Sequence, residues 1–154
     1  MSELAVETQT EAAVDQADIT IDGVEAILAD SGYEVSEHDL PDGGAVLRIR
    51  DPESGVVLRG VLEGEILFLT ISCMAIEKGK IGSDLMQRML DAGNGISTSS
   101  FQLYDRADGK TAITLNNFCK LQTLGDDDRD DILSCVEFLM VDVMAAREIV
   151  GDLA

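Results

Sequence analysis

The stretch AVLRIRDPESGVVLRGVLEGEILFLTISC, Ala45 to Cys73, reads as an antiparallel meander. Ala45 to Arg50 alternates in character, and Val56 to Leu62 and Ile66 to Cys73 continue the period of two. Asp51-Pro52-Glu53-Ser54-Gly55 and Glu63-Gly64-Glu65 supply the turns between them. Connections this short join antiparallel neighbours, because a parallel crossover needs a dozen or so residues. Alternation then divides the side chains between two faces, one of them apolar and the other mixed.

Working upstream, Pro41-Asp42-Gly43-Gly44 is a further turn, and Tyr33 to Glu37 a short extended segment before it. From Ile19 to Ser31 the residues Ile21, Val24, Ile27 and Leu28 recur at helical spacing, with Gly32 where a left-handed cap belongs. The opening residues 1–17 are polar, acidic and without sustained periodicity, so they read as a disordered tail ahead of one domain at 18–154. Downstream, Met74 to Gly82 reads as a connector and Ser83 as the N-cap of a helix carrying Leu85, Met86, Met89 and Leu90. Phe101 to Asp105 and Thr111 to Phe118 are two more strands around an Asp108-Gly109 turn. The last element is a long helix, GDDDRDDILSCVEFLMVDVMAAREIVGDL.

The expected fold is therefore α+β: an antiparallel sheet of five or six strands with helices at its start, middle and end. Leu47, Ile49, Leu58, Leu62, Leu67, Leu69, Ile71, Phe101, Leu103, Ile113 and Leu115 form the apolar face, which the first and last helices would cover. Arg48, Arg50, Val57, Arg59, Val61, Phe68, Thr70, Tyr104 and Thr114 fall on the other. The long helix carries more apolar surface than one buried face requires. One stripe runs Ile132, Val136, Leu139, Met140, Val143, Met144; a second, rotated one runs Cys135, Phe138, Val141, Ala145, Ile149. A core takes the first, and a partner subunit is the expected cover for Phe138, Val141, Ala145 and Ile149.

Composition bounds the function. Eleven Lys and Arg against 30 Asp and Glu give a formal charge of −19 on 154 residues. Nucleic acid and anionic membrane surfaces both need a basic footprint, so neither is an expected partner, and basic clients are favoured. No segment reaches the roughly 18 apolar residues of a membrane span, and residues 1–17 lack a signal-peptide pattern, so a cytoplasmic protein is expected. Cys73, Cys119 and Cys135 are far apart and form no CxxC, which signals neither zinc nor a disulfide framework.

Motifs for chemistry fail on inspection. Asp126, Asp128 and Asp130 with Glu137 imitate a calcium loop, but Asp131 stands where the loop glycine must turn, so the run reads as carboxylates at a helix start. Glu77 to Ser83 brings glycines and lysines to a helix start without phosphate-loop spacing. His38, the one histidine, lies in a polar turn, leaving Ser97, Ser99 and Ser100 without a base. No enzyme, cofactor or metal is expected. Arg48, Arg50 and Arg59 could receive a carboxylate-bearing ligand, with cross-strand pairing to Glu63 or Asp105 as the plainer alternative.

The element order, and the run DLMQRMLDAGNGISTSSFQLYDRADGKTAITLNNF followed by a helix, resemble the YbjN family of bacterial sensory-transduction regulators, whose fold is similar to that of type III secretion chaperones. That resemblance covers roughly Val24 to Leu153 and implies a non-enzymatic bacterial domain that binds proteins as a chaperone or regulator and dimerises. The expected partners are thus a protein client and a second copy of the chain. Arg48, Arg50, Arg59, Phe68 and Tyr104 are the candidate contact residues on the sheet, and an anionic small molecule sensed there is the alternative.

Overall fold

Thr20 starts the first helix: its Oγ1 accepts a hydrogen bond from the Gly23 N–H at 3.1 Å, satisfying one of the donors a helix start leaves free. This helix, α1 (Ile21–Asp30), ends as its sequence requires. Gly32 adopts φ 97° and donates to Ala29, while Tyr33 donates back to Leu28, the paired closure of a left-handed helix end. A computed structural model describes residues 19–153 of the chain, so the expected tail at 1–17 lies outside the described residues.

Six antiparallel strands follow: β1 (Glu34–Asp39), β2 (Ala45–Arg50), β3 (Val57–Glu63), β4 (Ile66–Glu77), β5 (Ser100–Asp105) and β6 (Lys110–Lys120). They lie in the order β1-β2-β3-β4-β6-β5, so the first four form the meander and the last hairpin is entered through its outer strand. Between β4 and β5 stands α2 (Ser83–Leu90), and α3 (Asp126–Leu153) closes the chain. The protein is α+β, with helices at start, middle and end as expected. Gly82, not Ser83, is the N-cap of α2. The turns use the glycines assigned to them: Gly64 at φ 60° joins β3 to β4, and Gly109 at φ 82° joins β5 to β6.

The core lies on one side of the sheet. Leu47, Ile49, Leu58, Leu67, Leu69, Ile71, Ile113 and Leu115 are all buried there. α1 covers β1 and β2 with Val24 and Leu28, α3 covers β4 and β6, and α2 packs against α3. The buried stripe of α3 is Ile132, Val136, Leu139, Val143, Ala146 and Val150, each larger side chain contributing about 1.5–3 kcal/mol over an exposed one. Met144, expected in that stripe, is exposed. So is Leu103, because β5 is an edge strand.

The most consequential departure from expectation is the length of β4. It runs four residues past Cys73, through part of the expected connector, by means of a register shift between Ser72 and Met74. The inserted residue is Cys73, which is buried. A bulge of this kind resets the two-residue period, so that Met74 pairs with Ile113 and Ile76 enters the core. Without it Ile76 would share the face of Phe68, Thr70 and Ser72. Arg147 of α3 donates to the Ser72 carbonyl at 3.3 Å beside this bulge.

Candidate functional site

The sheet's second face is covered by no helix among the described residues, and its side chains are ordered by the strand register. Ser36, Arg48, Arg59, Thr70, Asn116 and Ser100 are successive cross-strand partners, one residue from each strand in spatial order. A neighbouring row runs Val61, Phe68, Phe118, and a third Ser72, Thr114, Gln102. These rows form an open depression of about 590 Å³ bounded by Arg59, Val61, Phe68, Tyr104, Asn116 and Phe118. A second one of about 590 Å³ adjoins it, sharing Arg59, Thr70 and Thr114 and adding Arg106.

Aromatic surface is concentrated here. Phe68 is 41% exposed, Tyr104 49% and Phe118 63%, and the two phenylalanine rings meet at 6.2 Å between centroids in a tilted arrangement. Tyr104 donates to the Gln102 side chain. Arg59, Phe68 and Tyr104 all line this depression, although Tyr104, opposite Ala112, stands three rows along the sheet from Phe68 and Phe118. Arg48 adjoins Arg59 just outside the depression, while Arg50 is turned away into an ion pair with Glu34 at 2.8 Å. The anticipated arginine pairs with Glu63 or Asp105 do not form. Asp105 instead faces Lys78 at 3.4 Å and accepts from Thr111, and Arg106 pairs with Asp108 at 2.9 Å. Phe118, Asn116, Gln102 and Ser100 were not among the expected contact residues. The signal for Phe118 and Asn116 was the period of two counted on from Thr114.

On α3 the expected interface residues separate. Phe138 at 44% and Val141 at 69% exposure do face solvent, with Met144 one turn further along. Ala145 is half-buried, and Ile149, at 4% exposure, belongs to the core. Helical geometry explains the correction: Ile149 shares its side of the helix with Asp142, which is held against the loop after α2. The exposed patch is therefore Phe138, Val141 and Met144.

Two buried carboxylates organise loops. Asp142 accepts from the Ser97 N–H at 3.1 Å and from the hydroxyls of Ser97 and Ser99 at 3.0 and 2.9 Å. The serines hold a carboxylate, with no histidine beside them in these contacts. Asp128 accepts through one oxygen from the backbone N–H groups of Gln122, Thr123 and Leu124 at 2.7, 2.9 and 2.7 Å. The acidic run is accordingly the start of α3, with Asp128 folding the preceding turn back onto it. Asp22, Glu25 and Glu37 bring three carboxylates within 4.8 Å of one another on the surface between α1 and β1, a grouping that could ligate a cation. Partial desolvation, then repulsion from Asp22 and Glu25, raises Glu37 above the ordinary carboxyl range.

The cysteines are not all isolated from one another. Cys119 on β6 and Cys135 on α3 are neighbours, with the Cys135 thiol donating to the Phe118 carbonyl at 3.7 Å, and the interaction between the two thiols lowers Cys135 and, ahead of burial, raises Cys119. Burial pushes the Cys73 thiol up to about 11. No helix among the described residues is long and apolar enough to cross a membrane. No protein-family model matches this chain, and no curated protein is significantly similar to it.

Proposed function

We propose that this is a non-enzymatic, cytoplasmic protein-binding domain that acts as a chaperone-like or regulatory factor, taking a client segment on the uncovered face of its sheet. The observation that carries this reading is the open aromatic surface of Phe68, Tyr104 and Phe118 beside Arg59. An open face on which aromatic rings flank rows of short polar side chains suits an extended or helical segment, which gains affinity from the aromatic anchors and register from hydrogen bonds. A sensor of small anions would enclose its ligand and converge its arginines on it. Here the site is open, and Arg50 is committed to Glu34. The resemblance to YbjN proteins and secretion chaperones points the same way. A homodimer joined through Phe138, Val141 and Met144 of α3 would leave the sheet face available.

A photo-crosslinking amino acid placed at position 118 in the native cell tests the client reading. The expected result is a small number of discrete adducts that a Phe68→Glu substitution removes. Adducts no different from those formed from position 90, at the exposed end of α2, would contradict it.

A further inference from the structure

Resting on the client reading above, we propose that the client segment is acidic: an extended stretch of a partner protein that lays a carboxylate across Arg48 and Arg59 and sets an apolar side chain, four residues away, on Phe68 and Phe118. The strand register segregates charge. On the uncovered face it places Arg48, Arg50, Arg59, Lys110 and Lys120 against Glu34, Glu63 and Glu77. Five of the chain's 11 basic residues thus lie here with only three of its 30 acidic ones, a local surplus of positive charge in a molecule carrying −19.

Each carboxylate on the face already has a cation. Glu34 holds Arg50 at 2.8 Å, Glu77 is the cross-strand partner of Lys110, and Glu63 shares a row with Lys120 across Ile66. The surplus is Arg48 and Arg59. They are direct cross-strand partners, both exposed, and neither has a carboxylate within ion-pair distance among the described residues. Like charges set opposite each other on a sheet repel, and a carboxylate laid across the two guanidinium forks converts that repulsion into attraction. Salt screens the more distant acids beyond about 8 Å at 0.15 M, so the local surplus governs a group in contact. A basic segment, which the bulk composition favours, would meet the two arginines head-on.

The register also fixes a spacing. From the middle of the arginine pair to the middle of Phe68 and Phe118 is two strand spacings across and one row along, about 12 Å. Four extended residues at about 3.3 Å each span that distance, and the period of two returns the fourth side chain to the sheet. Thr70, Asn116 and Ser100 continue the arginine row. Their hydroxyl and amide groups suit an extended backbone, whose own N–H and C=O groups need partners that a helix would supply internally.

The test titrates three pools of twelve-residue peptides with blocked termini into the full chain at 150 mM NaCl. They carry Glu, Gln or Lys at position 4, Leu at position 8, and mixed Ser, Thr, Gly and Ala elsewhere. Nuclear magnetic resonance follows backbone and arginine side-chain N–H groups. The Glu pool is expected to shift Arg48, Arg59 and Phe118 together and to saturate at a concentration about tenfold or more below the Gln pool. That advantage should vanish in an Arg48→Gln, Arg59→Gln chain of unchanged circular dichroism, and moving Leu to position 5 should abolish the Phe118 shift. Equal responses to Glu and Gln, or a tighter response to Lys, would overturn the proposal. So would displacement of the Glu pool by an equal concentration of citrate or of single-stranded oligothymidylate, which would assign the arginines to a small anion or to nucleic acid. Arginine shifts that grow with protein concentration before peptide is added would assign them to a second copy, with the same consequence. Crosslinking from position 118 separates the two readings. Discrete adducts with no preference among the pools defeat this proposal alone, and a Glu preference with no discrete adduct defeats the client reading alone.

Discussion

Asp142 shows what a single side chain contributes here. Buried on α3, it takes three hydrogen bonds from Ser97 and Ser99 and so fixes the loop that delivers β5 to the sheet edge. Replacing it with Ala removes a buried carboxylate and the hydrogen bonds it accepts, and because Ser97 is exposed and its freed N–H can turn to water, a loss of about 1–2 kcal/mol in denaturant unfolding is expected. Glu37 works in the opposite sense. Its folded-state proton affinity is raised, so the fold is unpenalised while Glu37 is protonated and loses stability as pH rises through the folded pKa and the charge appears beside Asp22 and Glu25. Glu37→Gln should therefore raise the melting temperature at pH 7 and leave it unchanged near pH 3. An equal gain at both values would show that charge is not the cause. Neither role was legible in the sequence, since Ser97 and Asp142 are separated by 45 positions and Glu37 meets Asp22 only through the packing of α1 on β1.

At the scale of elements, the strands with clean alternation were legible almost to the residue, and so were the turns with glycines. Gly109→Val should cost roughly 1 kcal/mol or more, because φ 82° crowds a Cβ even though open space surrounds the position. An unchanged denaturation midpoint would show that the turn relaxes freely. The end of β4 was not legible, because the Cys73 bulge breaks the period that identifies a strand and the broken period imitates a connector. On α3, helical spacing gives which residues neighbour each other but not where a partner layer stops. That layer takes Ile149 and leaves Phe138 and Val141 outside. Phe138→Glu with Val141→Glu should thus keep the helical circular-dichroism signal, while Ile149→Glu should destroy it. If the exposed patch joins two copies, sedimentation will show the double variant as a folded monomer.

For the molecule as a whole, the sheet divides two kinds of surface. Helices cover one face completely enough to bury Leu47, Ile49, Leu69 and Leu115, and the other presents arginines, amides and aromatic rings to solvent. The division was readable from alternation in Ala45 to Cys73, although Phe118, at the end of the expected strand Thr111 to Phe118, was not assigned to the mixed face. What binds there is a question about the surface's chemistry, and it can be put directly. Random peptides displayed on phage are selected against the immobilised full chain, and the enriched sequences are measured against the chain and its Phe68→Glu, Phe118→Glu variant. Loss of the aromatic anchors should weaken binding by about thirtyfold or more, the effect of removing about 2 kcal/mol at an interface centre, with the variant still folded. Peptides that bind the variant as tightly as the parent chain would contradict the assignment of the sheet face as the binding surface.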